Sequence, residues 1–124
     1  MKIIIGGTDN KNRKAVEDKS VDVLLSPEKG RTKDFMKFRN SGLNQVLCKL
    51  ANKNKVAIGF NFDDVLNSDD RVSLLGKMMQ NVKLCRKYKV KMIVFGKDRS
   101  EKDLKCFGSI LGIQASEINI KRFL

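Results

Sequence analysis

A chain of 124 residues has room for one domain built on one modest core, and its 41% apolar and 32% charged residues exclude an unstructured polymer. No apolar run approaches the ~18 to 20 residues of a membrane span, which excludes a bilayer-crossing helix. Against 14 acidic residues stand 26 Lys and Arg, leaving +12; so large an excess points to an anionic partner, although a lysine- and asparagine-rich bias also arises from AT-rich coding without functional meaning.

The first residues, Met1-Lys2-Ile3-Ile4-Ile5-Gly6, lack the long apolar region and small-residue cleavage site of a secretory signal. The expectation is a cytosolic chain that opens directly on a strand, Lys2 to Gly6. Asp9 to Lys19 is polar apart from Ala15 and Val16, a weak helix or a solvated helix edge. Val21 to Ser26 reads as a second strand, ended by Ser26-Pro27 because proline cannot donate to a ladder. Glu28 to Arg39 is a charged loop. Leu43, Val46, Leu47, Leu50 and Ala51 then recur on one helical face, with Asn40 or Ser41 as the cap and Asn52 or Asn54 closing the helix in the left-handed conformation.

Lys55 to Phe60 is a third strand, and Asn61 to Leu66 fits one helical turn. Ser68-Asp69-Asp70 opens a long helix, the serine capping it and the carboxylates facing the positive end of the dipole. Val72, Leu75, Met79, Val82 and Cys85 are its expected buried stripe. Lys91 to Phe95 is a fourth strand. Ser100-Glu101-Lys102-Asp103 resembles a capping box before a helix with Leu104, Phe107 and Leu111 inward, stopped at Gly112. Ser116 to Leu124 reads as a last short helix. Cys48, Cys85 and Cys106 are widely spaced and sit in helical apolar patterns, so buried hydrophobes are expected rather than a disulfide framework or a zinc site.

The order is βαβαβαβα in a single domain, 1–124. Apolar strands joined by helical crossovers imply an α/β fold with a parallel sheet. Four units are half of an eight-stranded (βα) barrel of typically ~250 residues. The expected architecture is therefore a parallel (βα)4 half-barrel, with edges that a second copy or a partner completes.

Ligands of parallel sheets meet the carboxyl ends of the strands. Gly6-Gly7 lies there, either as a phosphate cradle or, more simply, as a tight turn. The loop after the second strand interleaves Lys29, Arg31, Lys33, Lys37 and Arg39 with Phe35 and Phe38. Cations grip phosphates and aromatics stack on unpaired bases; the plainer reading is a solvated loop whose phenylalanines fold onto the core. Lys97, Arg99 and Lys102 belong to the same rim. Lys83, Arg86, Lys87, Lys89 and Lys91 gather at the opposite rim, where the helix dipole explains some of the charge and a phosphate contact the rest. Asp63-Asp64 and Asp69-Asp70 suit magnesium or acid–base chemistry, but helix capping accounts for them more simply. With no histidine the usual neutral-pH proton carrier is absent.

Val21-Asp22-Val23-Leu24-Leu25-Ser26-Pro27, then Arg39-Asn40-Ser41-Gly42-Leu43-Asn44-Gln45-Val46-Leu47-Cys48-Lys49-Leu50-Ala51, then Lys55 to Phe60 resemble the ribonuclease P protein component 3 family. Cys85-Arg86-Lys87-Tyr88-Lys89-Val90 and Arg99-Ser100-Glu101-Lys102-Asp103-Leu104 continue the likeness in the same order. It implies a TIM-like barrel without a metal site or other cofactor. It also implies a non-catalytic subunit supporting RNA-catalysed removal of the 5′ leader from precursor tRNA. The implied partners are ribonuclease P RNA, precursor tRNA and ribonuclease P protein component 2, in the cytoplasm or, for a eukaryotic member, the nucleus. Arg39 and Arg99 match basic positions of the family, and Arg31, Lys33 and Lys97 complete the RNA-binding set. Members of the family are about twice as long, often with histidine where Gln45 stands and arginine where Asp63-Asp64 stand. The alternatives are a standalone metal-dependent hydrolase acting through Asp9, Asp63 or Asp64, and a generic basic RNA-binding scaffold.

Overall fold

A computed structural model describes residues 1–123 except 32, 33, 35, 37 and 38, with the side chains of 122 and 123 set aside. The chain runs β1 (Ile3–Ile5), α1 (Asp9–Glu17), β2 (Val23–Leu25), α2 (Gln45–Asn54), β3 (Ala57–Asn61), α3 (Phe62–Leu66), α4 (Arg71–Lys87), β4 (Met92–Lys97), α5 (Glu101–Leu111), a 3₁₀ turn (Ala115–Glu117) and β5 (Asn119–Phe123). All strand pairings are parallel, and the strands stand in sequence order from β1 to β5. Parallel neighbours in unbroken order, each reached through a helical crossover, place the helices on one face, as in an arc of a (βα) barrel.

Alternation along the strands then divides the core in two. Leu24, Ile58 and Val94 point to the helices and join Val16, Cys48, Ala51, Met78, Val82, Leu104 and Phe107. Val23, Leu25, Ala57, Ile93 and Phe95 point the other way into a cluster made only of strand residues. Phe95 is fully buried there. Gly59 makes the packing feasible, since a β-carbon on it would fall within 2.9 Å of the Phe95 ring and 2.8 Å of Leu25.

The expected half-barrel is present, with one strand more than expected. Residues 116–124 do not form a helix: a 3₁₀ turn leads into β5, which pairs with β4 from Ile93↔Asn119 to Lys97↔Phe123. The polar–apolar alternation of Ile118, Asn119, Ile120 and Lys121 is that of an edge strand covered on one face only.

Helix ends differ from expectation where tertiary contacts compete. Asn44, not Asn40 or Ser41, caps α2 by accepting from the Leu47 amide at 2.9 Å. Its left-handed closing residue is Lys55 rather than Asn52 or Asn54. Asp70 caps α4 through the Ser73 amide, while Ser68 accepts from the Asp70 amide. Val46 and Val72 are exposed, and so is Cys106, unlike the buried Cys48 and Cys85. The buried face of α4 runs through Met78, Val82 and Cys85 and takes in Lys77 and Asn81, because both polar side chains reach carbonyls of the long β2–α2 loop. Ser100 and Gly112 do bound α5, through a bond to the Asp103 amide and a left-handed cap. No helix among the described residues is long and apolar enough to cross a membrane.

Candidate nucleic-acid interface

The loops after β1, β2, β3 and β4 share the carboxyl rim of the sheet, where parallel α/β folds bind ligands. The β2–α2 loop is its largest component, and buried polar groups hold it down. Asn12, fully buried on α1, accepts from the Gly7 amide at 3.0 Å and donates to the carbonyls of Pro27 (3.0 Å) and Gly42 (3.1 Å). Asn81 donates to the Ser41 carbonyl at 2.9 Å, and the Lys77 ammonium donates to the carbonyl of Arg31.

Arg31 works within this frame. Its guanidinium donates to Asp9 (2.6 Å), Asn40 (2.8 Å) and the Gly7 carbonyl (3.0 Å), and its side chain is 10% exposed. It therefore ties the loop to the start of α1, with only its remaining N–H groups turned to other partners. Lys33, with Phe35, Lys37 and Phe38, lies outside the described residues.

Arg39 is exposed and anchored by its backbone, which accepts from Gln80 Nε2 at 2.7 Å and donates to Gln80 Oε1 at 3.1 Å. Its guanidinium lies against Gly76 of α4. Across the rim, Arg99 stands 3.9 Å from Asp63 and 6.0 Å from the centre of the Phe62 ring, which is itself stacked on Phe107. The other Asp63 oxygen accepts from the Lys97 amide at 2.7 Å, leaving the exposed Lys97 ammonium without an ion pair among the described residues. One carboxylate thus meets both the backbone of Lys97, the last residue of β4, and the guanidinium of Arg99. Asp64 accepts from Ser26 Oγ at 2.7 Å, and Asp9 is held by Arg31. Each carboxylate proposed for metal-dependent hydrolysis has a structural partner, and no group of three ligating side chains stands together among the described residues.

One rim residue escaped sequence reasoning. Glu28 is 1% exposed, and among the described residues neither carboxylate oxygen has a hydrogen-bond partner within normal geometry. It lines a cavity of about 600 Å³ together with Arg31, Asp64, Asp70 and Lys77. Burial pushes its carboxyl up to about 8; the adjacent Asp64 adds to the rise and Lys77 opposes it. A glutamate in a charged loop gives no local sign of such burial.

Comparison with known proteins follows the same outline. No family model matches the chain. It is 38% identical over 94 residues to ribonuclease P protein component 3 of Methanocaldococcus jannaschii, a match covering 74% of this chain and 38% of that protein. It is 33% identical over 123 residues to the Methanosarcina mazei protein of the same name, covering 93% and 48%. The Methanosarcina barkeri protein is 42% identical over 94 residues, covering 74% and 36%. In the cryo-EM structure of archaeal ribonuclease P with mature tRNA, one chain superposes with a TM-score of 0.75 at 34% identity, over 90% of this chain and 48% of that one. The chain spans about half or less of the length of the relatives it matches. These matches bear out the resemblance read from the residues.

Proposed function

We propose that this relative of ribonuclease P protein component 3 is a non-catalytic subunit of ribonuclease P that supports RNA-catalysed removal of the 5′ leader from precursor tRNA. The likeness, in fold and in a third of its residues, to a chain of an archaeal ribonuclease P bound to tRNA carries this reading. The exposed cations of the carboxyl rim supply the chemistry. Arg39, Lys97 and Arg99 grip phosphates, Lys33 adds to them, and Arg31 acts mainly by holding the loop. The surfaces they would meet are ribonuclease P RNA and precursor tRNA.

Among the described residues the arc of five strands leaves β1 and β5 each paired on one side only. Unpaired edges recruit further chain, so the reading includes closure by a second copy or by a protein partner, with ribonuclease P protein component 2 as the expected companion and the cytoplasm as the setting. The test is omission: reconstitute ribonuclease P from its RNA and its other proteins, with and without this chain, and follow 5′-leader cleavage. Faster cleavage with the chain, and none by the chain alone, is the expected result. Cleavage indifferent to the chain overturns the reading.

A further inference from the structure

A second basic surface occupies the amino-terminal rim of the sheet, opposite the loops described above, and two separate segments build it. Helices α2 and α4 end there together: Asn52 donates to the carbonyls of Tyr88 (2.8 Å) and Lys89 (3.2 Å). The Ile58 amide bonds the Lys91 carbonyl at 2.9 Å, so the approach to β3 runs beside the approach to β4. The ammonium groups of Lys49 and Lys87, one from each helix, lie 5.9 and 5.5 Å from the centre of the Tyr88 ring. Lys49 and Lys87 therefore flank Tyr88, and Lys53, Lys55, Lys89 and Lys91 belong to the same rim. All six are exposed, and none has an ion-pair partner among the described residues. The bordering acids are engaged elsewhere, Glu117 with Arg86 at 3.9 Å and Asp22 with the Lys2 amide at 2.6 Å.

Compensation of helix dipoles accounts for only part of the cluster. That effect acts within the last turn, which holds Lys53 in α2 and Arg86 and Lys87 in α4. Lys49 and Lys91 stand outside those turns, while Lys55 caps α2 and Lys89 follows the cap of α4. Lys55 and Lys89 both take a φ of 58°, a conformation that glycine or asparagine adopts at less cost. Lysine stands at both sites against the local backbone preference.

We propose that this rim is a second RNA-binding surface, its lysines holding the phosphodiester backbone of a segment distinct from the one on the carboxyl rim. The six residues of β4 separate the rims by about 20 Å, so one chain would fix the spacing of two RNA segments. The inference rests on the reading of the chain as an RNA-bound subunit.

The test measures binding of the whole chain to a ribonuclease P RNA transcript across a salt series. Three variants are compared: Lys49→Gln/Lys53→Gln/Lys87→Gln/Lys91→Gln, the same four changed to arginine, and Arg39→Ala/Arg99→Ala. Each phosphate contact contributes about 0.7 to 0.9 to the log–log salt slope, so the glutamine variant should lose about 3 from the slope and bind at least ~10-fold more weakly at low salt. The arginine variant should keep the wild-type slope. Acetylation footprinting of the wild-type chain, which needs no variant to fold, should show Lys49, Lys53, Lys87 and Lys91 protected by RNA. Equal acetylation with and without RNA, with the slope lost only in Arg39→Ala/Arg99→Ala, overturns the second surface and leaves the subunit reading standing. No salt-dependent binding by the wild type overturns both. Protection by polyglutamate equal to that by RNA assigns the rim to an acidic protein and also overturns the proposal.

Discussion

The guanidinium of Arg39 lies against the bare α-carbon of Gly76, so that a β-carbon there would collide with its Nε and Cζ atoms. The absence of one methyl group on α4 thus sets where a rim cation rests. Gly76→Ala should separate binding from folding. Alanine favours a helix interior by about 1 kcal/mol over glycine, and the Gln80 bonds to the Arg39 backbone remain. Stability should hold or rise, while RNA affinity should fall roughly three- to tenfold, toward that of Arg39→Ala. Urea titration and a binding isotherm on the same sample check both directions. Unchanged affinity removes Arg39 from the interface.

Glu28 predicts a pH dependence with a defined sign. Its folded carboxyl titrates near 8, against 4.5 ordinarily, because burial penalises the charged form. Between those values the unfolded chain releases the proton and the folded chain keeps it. Stability should therefore fall as pH rises through this window, by up to about 1.4 kcal/mol per pH unit, and level off above it. Glu28→Gln should flatten that decline and be the more stable protein from pH 7 upward. Urea midpoints at pH 5, 7 and 9 decide; parallel curves for the two proteins refute the assignment.

Asn12 joins three chain segments through one amide. Asn12→Ala would leave the Gly7 amide and the Pro27 and Gly42 carbonyls short of a partner in a buried place. Buried groups so orphaned cost about 1–3 kcal/mol each unless water reaches them, so a loss of roughly 2–4 kcal/mol is expected. Loosening of the β2–α2 loop should follow, read as faster amide exchange at Ser41 and Gly42. A loss below about 0.5 kcal/mol would show that the hub is dispensable.

Open edges predict association. Light scattering of the chain alone should give a mass that rises with concentration as β1 or β5 finds a second copy. A constant monomer mass leaves closure to a different protein, which adding component 2 would reveal as a new complex.

Much of this molecule was legible along the chain. Continuous apolar runs marked β2, β3 and β4, and the serine cap and glycine stop bounded α5, because those signals need only a few neighbouring residues. Parallel strands in βα order by themselves put Arg39, Lys97 and Arg99 on one rim. Four things depended on residues far apart in the chain. The buried face of α4 turned because Lys77 and Asn81 meet carbonyls at Arg31 and Ser41. Arg31 went to Asp9, and Glu28 was enclosed beside Asp64 and Lys77. The lysines of α2 met those of α4 where Asn52 bonds the carbonyls of Tyr88 and Lys89. Local hydrogen bonding and periodicity determine where a helix or strand exists, whereas which of its faces is buried, and which charge stays free, is decided by groups that meet only after the chain has closed on itself.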